Sequence, residues 1–375
     1  MNQQVLVKYR SLLEECRKAT QQISFDTDEG YLVGEAIFSA NLTNFLPSIP
    51  HTQHSMLYRE SLCNTAYENF DWNILGISDL ADIRDNNESL NSETKQFILC
   101  SFHLGSYRVI ANYLFKNSYD FSILVRGDVY DRQAAELLEC GRRVGKKYGV
   151  KSDMRIHNAE NPDVLLKVLR ELKEGRSLLV YVDGNTGSGN STEKLDTVSF
   201  LGQNIQTRKG VGYMSYLSGV PILPVISYRQ PNYQNVLDIK DLIYPDKTLT
   251  RDQFSQQVNQ QLYSILAHYL TKYPAQWEGW NYVHQFLVEG HVAGSVVANK
   301  IPKAAPRSTY HFNYGRYCLI NLPQQPVLFD KCHYTTLEIS TDLHDYLATK
   351  SFSNPKHILG NKVFSELLKQ QVMVY

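Results

Sequence analysis

From Phe97 to Phe286, short apolar runs alternate with stretches that gather their apolar residues on one helical face. The strand-like runs are Ile98-Leu-Cys, Phe121-Ser-Ile-Leu-Val125, Leu178-Leu-Val-Tyr-Val182 and Pro221-Ile-Leu-Pro-Val-Ile226. Between them, Tyr130 to Tyr148 is charged and amphipathic. Asn161 to Gly175 sets Val164, Leu165, Val168, Leu169 and Leu172 on one side, with Pro162 suited to a first helical turn and Gly175 to a stop. A strict alternation of strand, turn and helix predicts an α/β layer fold, a sheet flanked by helices, over residues 91–290.

The flanks read differently. Apolar residues at Val5, Tyr9, Leu12, Leu13 and Cys16 follow a three-four spacing, so Val5 to Ala19 predicts an amphipathic helix. Residues 1–90 read as a helical N-terminal region interrupted at Pro47 and Pro50. After Gly290, a Val/Ala/Gly stretch and Lys300-Ile-Pro-Lys-Ala-Ala-Pro306 predict a linker over 291–309. Residues 310–375 read as a small α+β, winged-helix-like module: strands at Tyr317 to Leu322 and Pro326 to Phe329, then helices at Thr341 to Thr349 and Lys362 to Gln370.

At 375 residues the chain exceeds what one hydrophobic core usually serves, so a main domain with a smaller appended one is expected. A formal net charge of zero gives no electrostatic reason to expect a nucleic-acid partner. The six cysteines are scattered, with no Cys-x-x-Cys pair and no zinc-site spacing, which predicts free thiols in a reducing compartment and no metal site. Met1 to Arg10 lacks the apolar core of a secretory signal, and nothing approaches the roughly 18 consecutive apolar residues of a membrane span. A cytoplasmic protein is expected, and peripheral contact with a membrane is compatible with that.

The run Phe97-Ile-Leu-Cys-Ser-Phe-His-Leu-Gly-Ser-Tyr-Arg108 delivers His103 from a buried-strand pattern into a glycine-containing turn. Imidazole titrates near neutrality, so His103 is the candidate general base; a packed structural histidine is the alternative. Arg126 closes the next strand, where its planar fork suits an oxyanion or a surface ion pair with Asp128 or Asp131. Asp183 ends the most apolar strand, a place where open α/β sheets collect ligand-binding groups, although Asp-Gly is also an ordinary turn. The loop from Asp183 to Ser191 is glycine-rich but lacks the Gly-Lys-Ser/Thr ending of a phosphate loop, and it reads as a lid or a plain loop. Thr207, Arg208, Lys209 and Gly210 precede a helix-like stretch, where amides and cations can hold a phosphate or Thr207 can simply cap the helix. Trp277, Trp280 and Tyr282 offer either a wall for an acyl chain or core packing.

In order, His103-Leu-Gly-Ser-Tyr107, Leu124-Val-Arg126, Val180-Tyr-Val-Asp183, Val198-Ser-Phe-Leu-Gly202 with Thr207 and Gly210, and Gly219-Val-Pro-Ile-Leu-Pro224 resemble the lysophospholipid acyltransferase superfamily. The closer likeness is to its lipid A biosynthesis acyltransferase branch. Tyr273-Pro-Ala-Gln-Trp-Glu-Gly-Trp-Asn-Tyr-Val-His-Gln-Phe286 is similar to that branch's closing Pro-x-Gln-Trp element. The likeness spans residues 95–290 and implies a mixed sheet flanked by helices. It also implies an acyltransferase that moves an acyl group from an acyl carrier protein or coenzyme A thioester to a hydroxyl or amine, without metal or cofactor. It casts His103 as base and Arg126 as binder of a phosphate or headgroup, and gives Thr207 to Gly210 the phosphate of a pantetheine-linked donor.

One departure stands out. The family places an acidic residue five positions after the histidine to orient the ring, whereas this chain has Arg108, which cannot accept a hydrogen bond. Three readings follow: another carboxylate such as Asp183 orients the ring, the acceptor is an amine needing less activation, or turnover has been lost. Arg108 is then available to bind an anionic group on donor or acceptor. The last reading makes the chain a catalytically silent protein that holds an acyl carrier or a peptide. Tyr317-Cys-Leu-Ile-Asn-Leu and Phe364-Ser-Glu-Leu-Leu resemble the small peptide-recognition modules fused to enzymes of ribosomal-peptide modification, so a peptide or protein partner is a second expectation; a dimerisation element or a cap over the site accounts for the same residues. The lipid A branch normally carries an N-terminal membrane anchor. Its absence from the sequence given favours a soluble or carrier-bound acceptor.

Overall fold

A computed structural model describes residues 3–25, 28–73, 77–91, 96–187, 192–288, 309–349 and 351–374. The expected linker, up to residue 308, and Ser188 to Ser191 of the glycine-rich loop lie outside the described residues.

The helices in chain order are α1 (Gln3–Gln21), α2 (Glu29–Phe45), α3 (His54–Asn73), α4 (Val109–Lys116), α5 (Gly127–Tyr148), α6 (Val164–Lys173), α7 (Gly210–Ser218), α8 (Arg251–Leu270), α9 (Thr341–Leu347) and α10 (Pro355–Lys369). The strands are β1 (Asp82–Asp85), β2 (Ile98–Ser101), β3 (Phe121–Val125), β4 (Met154–Asn158), β5 (Ser177–Tyr181), β6 (Leu195–Phe200), β7 (Gln203–Arg208), β8 (Ile222–Arg229) and β9 (Asn235–Ile239). Six shorter strands follow: β10 (Thr309–Phe312), β11 (Tyr317–Asn321), β12 (Pro326–Asp330), β13 (Thr335–Glu338), β14 (Phe352–Ser353) and β15 (Met373–Val374).

Contacts divide the chain into two compact units, one of Met1–Gln22, Arg59–Phe200 and Asn204–Gly279, the other of Ile23–Tyr58, Leu201–Gln203 and Trp280–Tyr375. This division does not follow the sequence bounds: the helical region read over 1–90 contributes α1 and α3 from Arg59 onward to the first unit, and α2 and the first residues of α3 to the second.

The first unit is built on a mixed seven-stranded sheet of order β1-β9-β8-β2-β5-β3-β4. β8, β2, β5, β3 and β4 run parallel, and β9 returns antiparallel to β8. Every residue of β2 and of β8 is buried. Central strands covered on both faces require continuous apolar runs instead of alternation, which is why these segments read so plainly in the sequence. α5 ends at Gly149, whose φ of 66° closes the helix in the left-handed conformation. β6 and β7 form a hairpin whose two turn residues, Leu201 and Gly202, both have positive φ, the geometry that matches the twist of paired strands.

In the second unit, β11-β12-β13 and β14-β10-β15 form two three-stranded sheets, with α9 and α10 completing the C-terminal portion. The sequence reading anticipated β11 and β12 and the two helices but missed four strands, two of which have only two residues. α2 supplies part of this unit's core: Ala36 and Ala40 pack with Ile320, Val327 and Phe329, and Asn44 donates to the carbonyl of Lys331.

A buried ion pair ties the first unit together behind β2. Arg229 at the end of β8 donates to Asp71 of α3 at 2.5 Å, and both side chains are buried. Asp71 also accepts from the Tyr9 hydroxyl of α1, the Ser106 hydroxyl and the Asn235 amide of β9. Ser106 lies three residues after His103, so this network fixes the turn that carries the histidine. Removing one partner strands a buried charge. Asp71→Ala is therefore expected to cost about 3–5 kcal/mol of unfolding free energy, measured by urea denaturation; a loss below about 1 kcal/mol would show that the network contributes little.

Candidate active site

Parallel pairing of β2 with β5 aligns Ser101 with Tyr181. Two residues further on, at the carboxyl ends of the two strands, the same register brings His103 beside Asp183. The Asp183 carboxylate is buried and accepts three donors: the His103 backbone N–H at 3.0 Å, His103 Nδ1 at 2.8 Å and the Trp277 indole N–H at 2.7 Å. A carboxylate fixed this way keeps the proton on Nδ1, so the lone pair sits on Nε2. Nε2 has no hydrogen-bond partner among the described residues, and the side chain is 24% exposed, so the ring is reachable from solvent.

The Pro-x-Gln-Trp stretch is a clamp on this turn. Gly105 N–H donates to the Gln276 carbonyl at 2.9 Å, and Glu278 N–H donates to the His103 carbonyl at 3.0 Å. The Gln276 side chain in turn pairs with the backbone of Arg229, donating to its carbonyl and accepting from its N–H, both at 2.7 Å. Gly105 has φ +56°, and a Cβ there would come within 2.8 Å of the Tyr228 backbone, so only glycine lets the turn approach β8. Gly279 leaves room for the Trp277 ring, which a Cβ would meet at 2.1 Å.

Around the open face of His103 stand Tyr107 and Tyr181, their ring centroids 4.8 and 5.1 Å from the imidazole. Arg108 points to Glu68 of α3, with Nε 3.3 Å from Oε1, and its guanidinium lies over Trp72 and Tyr107. Burial pushes the Glu68 carboxyl up to about 8 despite this guanidinium, with Glu278 and Asp71 adding to the rise. The Glu278 carboxyl is also raised, mainly by burial, against the pull of His103 and Arg108. For His103, burial disfavours the imidazolium, but the charges of Asp183, Glu278 and Glu68 together outweigh it and raise the pKa above 6.5.

The remaining sequence candidates have partners of their own. Arg126 is ion-paired with Asp128, donating from Nη2 at 2.6 Å. Thr207 lies in β7 and does not cap α7; its hydroxyl is buried with no hydrogen-bond partner among the described residues. Arg208 donates to the Asn185 carbonyl, and Lys209 pairs with Asp252 at 2.9 Å. Gly210 opens α7. Trp277 is buried as a donor to Asp183, and Trp280, also buried, packs against Phe45, so both indoles are packing residues in this structure. Glu68, Glu278, Tyr107 and Tyr181 were not singled out from the sequence. Glu68 lies in a helix whose pattern gave no sign of chemistry, whereas Glu278 neighbours the recognisable Gln-Trp pair.

The sheet order defines a mixed α/β protein with a histidine–aspartate pair at the carboxyl ends of adjacent strands. The chain belongs to the bacterial lipid A biosynthesis acyltransferase family, whose model matches residues 73–281, more than half of its length. No curated protein matches the chain. Family membership supports acyl transfer as the class of reaction. Among the described residues, no helix is long and apolar enough to cross a membrane.

The His103 shift has a definite sign. Because its folded pKa is raised, the imidazolium–Asp183 pair contributes stability that is complete below pH 6.5 and lost as pH rises through the folded value. Glu68, raised to about 8, adds a decline of the same sign between its ordinary value of 4.5 and about 8. NMR titration of the His103 ring is expected to give a pKa above 6.5 that Asp183→Asn lowers; a ring that titrates alike in both proteins would remove Asp183 as its electrostatic partner.

Proposed function

We propose that the protein is an acyltransferase in which His103 is the general base and Asp183 holds its ring. The donor is an acyl thioester of acyl carrier protein or coenzyme A, the acceptor a hydroxyl or amine on a soluble or carrier-bound intermediate, and the setting the cytoplasm. The 2.8 Å contact between His103 Nδ1 and a buried, triply bonded Asp183 is the observation that carries this reading.

In the reaction, Nε2 takes the proton of the acceptor as its oxygen or nitrogen attacks the thioester carbon. Collapse of the adduct breaks the C–S bond, and the imidazolium returns the proton to the departing sulfur. Asp183 stabilises the imidazolium without taking its proton. Supplying this carboxylate from the neighbouring strand frees position 108 from the orienting role, so Arg108 is compatible with turnover. No step needs a metal or a cofactor. The C-terminal module is proposed to engage a peptide or protein partner, the acyl carrier included.

The test is thiol release from acyl-coenzyme A and acyl carrier protein thioesters in the presence of acceptor mixtures. His103→Ala is expected to lower the rate roughly 100- to 10,000-fold and Asp183→Asn to lower it with the fold intact. The wild-type rate is expected to rise with pH through the raised His103 pKa, since only the neutral ring accepts a proton. Equal release by wild type and His103→Ala, alongside persistent carrier binding, would make the protein a silent binder.

A further inference from the structure

We infer that Trp277 is a positioning residue for the base: its indole N–H pins one oxygen of Asp183, which aims the other at the His103 ring and sets how strongly that ring holds a proton. This role deepens the acyl-transfer reading above and rests on it. The two carboxylate oxygens are divided between partners. Oδ1 faces His103 Nδ1 at 2.8 Å, whereas Oδ2 accepts from the His103 backbone N–H at 3.0 Å and from the Trp277 indole at 2.7 Å. Both of the other donors belong to His103 and travel with its turn. Among the described residues, Trp277 is the donor that comes from outside that turn, and its bond is the shortest of the three.

The indole is itself fixed from several sides. Trp277 pairs with Leu104 in an isolated antiparallel bridge, flanked by the bonds from Gly105 to the Gln276 carbonyl and from Glu278 to the His103 carbonyl. Its ring meets Phe200 edge-on with centroids 5.6 Å apart, and it occupies the space that a side chain at Gly279 would take. Trp277 and Asp183 are each 1% exposed, so bulk solvent does not share the bond. Packing alone asks only for a large ring, which phenylalanine also supplies; the N–H is what phenylalanine lacks. Burial works against the imidazolium of His103, and Asp183 is the strongest of the charges that overcome it. A donor on Oδ2 draws off part of the carboxylate's charge, so its removal leaves more charge facing Nδ1 and a ring that gives up its proton less readily.

Trp277→Phe keeps a ring in the core and removes the N–H. NMR titration of this variant is expected to move the His103 pKa up by about half a unit or more. The pH at which thiol release from octanoyl-coenzyme A rises is expected to move with it, and kcat at neutral pH to fall about tenfold or more with KM unchanged. Gly279→Ala reaches the same bond from the other side, because its methyl displaces the indole. It is expected to raise the ring's pKa in the wild-type background and not in Trp277→Phe. A His103 pKa that is unchanged or lowered in Trp277→Phe, an equal shift by Gly279→Ala in both backgrounds, or a loss confined to KM would overturn the inference and leave Trp277 a packing residue. Should Trp277→Phe fail to fold, the Gly279→Ala titration decides alone, a raised pKa supporting the role and an unchanged one refuting it. The titration needs folded protein and no turnover, so it judges Trp277 even if the wild type releases no thiol, an outcome that would defeat the acyl-transfer reading instead.

Discussion

The turn that carries His103 depends on one buried carboxylate. Asp183 is 1% exposed, and a carboxylate buried so deeply costs several kcal/mol unless donors surround it. It meets that requirement with two N–H groups of a single residue, His103, and an indole from a distant segment. The same bonds that stabilise the carboxylate orient the imidazole, so folding and orientation of the ring are one event. The parallel register of β2 and β5 makes this inexpensive geometrically, because adjacent strand ends fall side by side without any special loop.

Much of this was legible in the residues, and the legible part has a common cause. β2, β3, β5 and β8 are covered on both faces, and the apolar runs that cover demands stand out in any reading. β1 and β4 are partly exposed, and β6 alternates buried with exposed residues, so none carries an uninterrupted signal. His103 and Asp183 were both found because each terminates a conspicuous run. Their contact followed from strand order, which sequence periodicity does not encode. Likewise, the ion pairs of Arg126 and Lys209 with Asp128 and Asp252 depend on side-chain placement that spacing left open.

Arg108 and the carboxylate beside the imidazole belong to different parts of the chain. Here the guanidinium turns toward Glu68 on α3, and the ring-holding carboxylate comes from β5. Glu68 and Glu278 are pushed toward their protonated forms by burial.

The second unit draws α2 from near the beginning of the chain and its sheets from the end. During synthesis α2 leaves the ribosome long before β11 and β12 exist, and its Ala36 and Ala40 face must wait, uncovered, until those strands emerge. The unit therefore cannot be cut away or grafted as one contiguous cassette, because α2 belongs to it.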